Sequence, residues 1–199
     1  MNNEHGNSNE VDSKAAFAAE RYRKAAGKGH PQAQLNLARM YLGGFGIPKD
    51  VVQAVEWFRK AAEQGHADAQ WGLGWLYQKG IGVPQDNMQA AEWFRKAAEQ
   101  GHTGAQGSLA RFYRKGIGVP QDDMQAAGWY RRAAEQGDEY AQGSLAYMYE
   151  NGIGVPQDDL QAAEWYLKAA EQGEEYAQYR LAHLYEKRWL GNHDNDVLN

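Results

Sequence analysis

The chain has 199 residues, a formal charge of −5 without a concentrated Lys/Arg block, and no cysteine. Disulfides, thiolate chemistry and Cys-based zinc sites are thereby excluded, and a nucleic-acid binder, which needs clustered cations to neutralise phosphates, is disfavoured. Seven Trp and twelve Tyr supply the apolar surface that disordered chains lack, and no apolar run approaches a membrane span, so membrane insertion is not expected.

The opening stretch, residues 1–10, is polar and acidic, unlike a signal peptide, and reads as a loose tail. Either the protein is made without a leader or the sequence starts after its removal, which leaves the compartment open. A helical pattern follows over about Val11 to Lys28.

From there a strict period of 36 residues takes over. Gly29, Gly65, Gly101, Gly137 and Gly173 keep that spacing, as do Gln34, Gln70, Gln106, Gln142 and Gln178. Leu37, Leu73, Leu109, Leu145 and Leu181 keep it too, with Tyr41, Tyr77, Tyr113, Tyr149 and Tyr185. Self-similarity at such a period is the signature of a repeat array.

Each unit predicts two helices. The first covers about Asp68 to Lys79, with Ala69, Leu73, Leu76 and Tyr77 forming one apolar stripe. Gly80 stops it, and the loop Ile81-Gly82-Val83-Pro84-Gln85 follows. Asp86 is the expected N-cap of the second helix, with the Gln89 amide returning a hydrogen bond in a capping box. Ala90, Trp93, Phe94 and Ala97 form its apolar face and Gly101 ends it.

The predicted fold is therefore all-α, a solenoid of 36-residue helix hairpins with about ten helices. A lone second-type helix precedes hairpins near residues 30–65, 66–101, 102–137 and 138–173. A lone first-type helix, about Glu175 to Lys187, closes a single repeat domain over 11–190, and 191–199 forms a second tail. Trp57, Trp93, Trp129 and Trp165 recur in phase and are assigned to the core; Gly72, Gly74, Gly107 and Gly143 are assigned to close helix approaches.

The recurring string Ala-Gln-x-x-Leu-x-x-x-Tyr-x-x-Gly-x-Gly-Val-Pro-Gln-Asp, followed by Gln-Ala-x-x-Trp-(Phe/Tyr)-x-Lys/Arg-Ala-Ala-x-x-Gly, resembles the Sel-1-like repeat, a relative of the tetratricopeptide repeat. The resemblance covers roughly Ala18 to Glu186. It implies a right-handed superhelix of antiparallel helix pairs that acts as an adaptor or scaffold for protein complexes. Many bacterial members are exported, some bind and neutralise effector proteins, and a cysteine-rich branch is linked to β-lactam binding. The absence of cysteine here separates this chain from that branch.

Repeats produce ladders rather than unique catalytic constellations. His30, His66 and His102 follow the stop glycines, but equivalent positions lie about 8–10 Å apart, too far to share a metal ion. Glu63, Glu99, Glu135 and Glu171 fail the same distance test as paired catalytic carboxylates. The reading is a non-enzyme with no cofactor, no metal and no catalytic residue.

Recognition is expected where units differ, on the concave face lined by first helices. The variable slots are the equivalents of Asp68, Trp71, Trp75 and Gln78. The first holds Gln32, Asp68, Gly104, Tyr140 and Tyr176; the second Leu35, Trp71, Gly107, Gly143 and Tyr179; the third Arg39, Trp75, Arg111, Tyr147 and His183. Gly107 and Gly143 predict a pocket flanked by Trp71 and Trp75, and by Tyr147 and Tyr179. Trp75, Tyr140 and Tyr147 are expected to be exposed. The partner is expected to be a protein or peptide. The alternatives are an inhibitor of a toxin or enzyme and a weak β-lactam or cell-wall-fragment binder. A monomer is expected, with end-to-end self-association through Phe17, Tyr22, Trp189 and Leu190 as a further option.

Overall fold

The computed structural model describes residues 4–196, with side chains from Ser13 to Glu186. Its ten helices are α1 (Glu4–Gly27), α2 (Pro31–Gly43), α3 (Val51–Glu63), α4 (Ala67–Lys79), α5 (Asn87–Glu99), α6 (Thr103–Lys115), α7 (Asp123–Glu135), α8 (Glu139–Asn151), α9 (Asp159–Glu171) and α10 (Glu175–Asp196). Among the described residues there is no strand. The helices form two units, α1–α5 ending at His102 and α6–α10 beginning at Thr103, and within each unit successive helices pack as neighbours.

Two helices outrun their expected ends. α1 starts at Glu4 rather than Val11, and α10 continues past Lys187 to Asp196. At the latter, Arg188, Leu190 and Asn192 stand in the slots of Gly152, Gly154 and Pro156, so the glycines and the proline that stop the other first helices are replaced, and Asn192 supplies the backbone N–H that a proline lacks. The outermost parts of both expected tails, residues 1–3 and 197–199, and the side chains of Trp189 and Leu190, lie outside the described residues.

The hairpin is shaped by its caps. Gly80 closes α4 in the left-handed region (φ 67°), its N–H donating to the Leu76 carbonyl. Two residues on, a β-carbon at Gly82 would sit 2.7 Å from the Val51 carbonyl oxygen at the start of α3, so the loop can lie this close only with glycine there. Asp86 then accepts hydrogen bonds from the Met88 and Gln89 N–H groups, and Asp50 and Asp158 do the same at their helices.

The cap departs from the expected capping box on one side. The Asp50, Asp86, Asp122 and Asp158 backbone N–H groups donate to the carbonyls of Tyr41, Tyr77, Tyr113 and Tyr149 in the preceding helix. The donor that a returning glutamine would satisfy is thus already used, and Gln53 and Gln161 reach Glu56 and Glu164 instead. That bond joins the two helices of a hairpin rather than serving one.

Packing inside each unit alternates small and large residues. In the first unit Leu35, Ala38, Phe58, Ala61, Leu73 and Leu76 from α2, α3 and α4 share one buried cluster. Added β-carbons at Gly72 and Gly74 would lie 2.6 Å from Phe58 and 2.8 Å from Phe94, so α4 is clasped between the aromatic rings of α3 and α5. Gly107 and Gly143 make no such approach: a β-carbon at Gly107 would meet nothing within 4 Å, and one at Gly143 only the Glu174 carboxylate at 3.7 Å.

The repeated tryptophans are half-buried rather than interior. The fully buried aromatic of each second helix is its neighbour: Phe58, Phe94, Tyr130 or Tyr166. The Trp57, Trp93, Trp129 and Trp165 rings are instead roofed by Lys60, Lys96, Arg132 and Lys168, with each cation 4.0–4.6 Å from its ring centroid.

Between the apolar layers runs a buried amide ladder. Gln34, Gln70, Gln106 and Gln142 are almost completely buried. The Gln70 amide donates to the Ala62 carbonyl of α3 (3.1 Å), and its oxygen accepts from Gln100 at the end of α5 (2.7 Å). Gln142 repeats this with Ala134 and Gln172. Gln34, Gln70 and Gln142 therefore each pin their helix to the one before and the one after.

Replacing Gln70 with Leu is expected to lower stability by about 1–3 kcal/mol, because its bonds to the Ala62 carbonyl and from Gln100 are both lost, leaving the Ala62 carbonyl with the Gly65 N–H. Gln178, exposed at the end of the second unit, is expected to tolerate the same change within about 0.5 kcal/mol. Urea unfolding of the two variants checks this; equal costs would remove the ladder from the account.

Burial raises the Tyr166 phenol above its ordinary value, aided by the nearby Glu150 carboxylate, and burial raises Tyr130 likewise. Folding favours the neutral phenol, so this contribution is intact below the unfolded tyrosine value of about 10 and is lost as pH rises above it. The melting temperature is expected to hold to about pH 10 and then fall, and to fall less steeply in Tyr166→Phe.

Candidate functional site

The variable residues of the first helices are placed by the ladder just described, which turns the Leu and Gln positions inward and leaves the opposite slots outward. In the first unit Arg39 of α2 and Asp68 of α4 form an ion pair at 3.1 Å, both about half exposed, and are therefore worth at most about 1 kcal/mol. His102 lies 3.7 Å from the same carboxylate and stacks on Trp71, ring centroids 5.4 Å apart. Desolvation lowers the His102 pKa despite the neighbouring Asp68, so the imidazole favours its neutral form in the stack. His66 makes the corresponding contact one repeat earlier, its Nε2 3.0 Å from the Gln32 side-chain oxygen. The histidine ladder thus spaces adjacent first helices.

Trp71 and Trp75 are half-buried, and Trp75 packs on the α2–α4 cluster rather than standing free. Leu35, in the same slot as Trp71, is fully buried, so that slot is not a recognition surface along its whole length.

In the second unit several of the expected residues converge. A cleft of about 250 Å³ is lined by Tyr140, Gly143, Ser144 and Tyr147 of α8, Tyr176 of α10, and by Arg114 and Glu174. Tyr140 is 59% exposed, whereas Tyr147 is half-buried, contrary to expectation, because the Arg114 guanidinium lies over its ring at 4.9 Å. Tyr176 meets Tyr166 edge-on and accepts a hydrogen bond from Arg180. Arg180 in turn pairs with the buried Glu150, which also accepts from the Tyr166 hydroxyl at 3.0 Å. Tyr176 is thus held by a network reaching into the core.

Glycine at position 143 is what leaves the space. Any side chain there would project toward Glu174, whose carboxylate also caps α10 through the Ala177 N–H. The cleft offers aromatic faces, hydroxyl groups and one charge of each sign. Tyr179 and His183 are exposed elsewhere on α10 and do not line it, and Arg111 is partly exposed on α6.

Arg114, Ser144 and Glu174 were not singled out from the sequence. The in-register comparison nevertheless contained them: Arg114 occupies the slot of Gln78, Ser144 that of Gly72, and Glu174 that of His66. Among the described residues, no group of three His, Asp or Glu side chains gathers at metal-binding range, and no helix is long and apolar enough to cross a membrane.

Comparison with known proteins gives a consistent family. The Sel1 repeat model matches residues 31–66, 67–102, 104–138, 139–174 and 175–191. No match was found among curated proteins. Among solved structures, a protective antigen of uropathogenic Escherichia coli with an SLR fold is 45% identical, TM-score 0.86, over 87% of this chain. This chain spans 37% of that antigen's length. A Sel1 repeat protein from Oxalobacter formigenes is 41% identical, TM-score 0.76, over 86% of this chain and 68% of the other. An immunity protein from Pseudomonas aeruginosa is 25% identical, TM-score 0.51, over 80% of this chain and 59% of the other. With repeat matches along most of its length and these structural relatives, the chain belongs to the Sel1 repeat family, all-α repeat proteins that generally act as non-catalytic scaffolds for protein interaction.

Proposed function

We propose that this chain is a protein-binding module whose first helices carry the recognition residues. The observation that supports it most is the cleft around Gly143, where Tyr140, Tyr147 and Tyr176 meet with Arg114 over one ring. Tyrosine and arginine are the residue types that dominate binding energy in protein interfaces, and a cleft of this size accepts one large side chain of a partner. The reading assigns the first unit a share of the contact through Arg39, Asp68, Trp71 and Trp75, and the second unit Arg111, Tyr140, Tyr147, Tyr176, Tyr179 and His183.

A second reading, an inhibitor that caps a toxin or enzyme, is supported by the likeness to the P. aeruginosa immunity protein. It uses the same residues and differs only in what the captured protein does. For the β-lactam alternative, a flat calorimetric titration is expected.

The test is capture of a partner on the immobilised chain, followed by mass spectrometry and repetition with Tyr140→Ala/Tyr147→Ala. The double variant is expected to keep its helical spectrum and unfolding midpoint but to lose at least about tenfold in affinity, since two interface aromatics are removed. Undiminished capture by the folded variant would show that the partner sits elsewhere. Loss of the partner's own enzymatic or toxic activity on binding would select the inhibitor reading.

A further inference from the structure

Every internal first helix of a unit is flanked by second helices on both sides, and the contacts recur slot by slot. A small residue on the first helix shares a buried cluster with the aromatic of the second helix that follows: Ala38 with Phe58, Ala110 with Tyr130, Ala146 with Tyr166. The buried glutamine oxygen accepts from a glutamine thirty residues later: Gln34 from Gln64, Gln70 from Gln100, Gln106 from Gln136, Gln142 from Gln172.

Among the described residues, the slots of α10 that match the first half of this interface are left exposed. Ala182 is exposed, although its counterparts Ala38, Gly74, Ala110 and Ala146 are all buried. Tyr185 is 56% exposed where the other four tyrosines of its ladder are half-buried. Gln178 is exposed, and its amide donates to the Ala170 carbonyl as the amides of Gln34, Gln70 and Gln142 donate one helix back.

α1 presents the second half. Tyr22 stands in the slot of Phe58, Phe94, Tyr130 and Tyr166, and is only half-buried where they are buried. Beside it a groove of about 480 Å³ opens between α1 and α2, lined by Phe17, Tyr22, Ala25, His30, Gln32 and Asn36 among others. Phe17 is 67% exposed at its rim. In the next repeat the equivalent space is filled by α2 itself, which meets His66 through Gln32 and Asp68 through Arg39. The groove therefore has the shape and contacts of a seat for a first-type helix.

We infer that a second copy of this chain fills that seat with its α10, so that α10 of one copy and α1 of the next complete a hairpin of the same kind as the internal ones. The register is specific. Ala182 meets Tyr22, as Ala146 meets Tyr166. Lys28, exposed and standing in the slot of Gln64 and Gln100, brings an ammonium donor to the Gln178 oxygen. Arg21, in the tryptophan slot, comes to lie over Tyr185, a cation on an exposed ring. Donors meet acceptors and a large residue meets a small one at each position. The contact is heterologous, so it propagates from copy to copy.

Sedimentation velocity of the full chain over a wide concentration range tests this. The wild type is expected to show reversible, concentration-dependent growth beyond the monomer. Ala182→Arg, a change at an exposed position that leaves the fold intact by circular dichroism, is expected to weaken association at least about tenfold by placing bulk and charge against Tyr22. Lys28→Gln, which restores the internal donor, is expected to associate like the wild type, and Lys28→Glu to associate less. A wild type that stays monomeric throughout, or an Ala182→Arg variant that associates as before, overturns the inference.

Discussion

One buried amide per repeat sets the terms for the rest of this structure. A glutamine enclosed by alanine and leucine is tolerated only if both ends of its amide are bonded, since an unpaired buried polar group costs about 1–3 kcal/mol. Gln70 meets that demand only when α3 presents the Ala62 carbonyl and α5 presents Gln100. Three consecutive helices must therefore stand in one register. The Asp N-cap whose N–H reaches the tyrosine carbonyl of the preceding helix adds a second tie within the hairpin. Apolar burial supplies most of the stabilisation, but it is not directional; the hydrogen bonds decide which register is adopted.

This arrangement separates positions that build from positions that are free. The glutamine, leucine and alanine ladders are committed to neighbours on both sides, so their identity repeats. The outward slots of the first helices carry no such obligation and vary from Asp68 to Tyr140, or from Arg39 to Tyr147. Where glycine occupies one of these slots, at Gly143, a tyrosine-lined cleft opens beside it. Under the proposed function, recognition is a by-product of redundancy: the scaffold is specified by some residues of each repeat and the remainder can change without unfolding it.

Much of this was legible in the sequence, because periodicity reports obligations shared by every repeat. The helix boundaries inside the array, the Asp caps and the glycine stops follow from local chemistry that operates within a few residues. What escaped the sequence depends on side chains meeting across helices. The in-phase tryptophans look like core by recurrence alone, yet a lysine or arginine three residues on in the same helix holds them at the surface. The Asp86 backbone N–H was assigned to Gln89, whereas the Tyr77 carbonyl takes it. Tyr147 was expected to stand free until Arg114, from the preceding first helix, covers its ring. The spacing of the histidines excludes a shared metal ion but does not reveal their contacts: His102 stacks on Trp71 and faces Asp68.

The central claim is that each helix owes its stability to the helices before and after it. Native-state amide hydrogen exchange at low protein concentration measures this helix by helix. The account predicts stronger protection in α3 and α4 than in α1, and in α8 and α9 than in α10, because the end helices have a neighbour on one side only. Equal protection of all helices within a unit would contradict it.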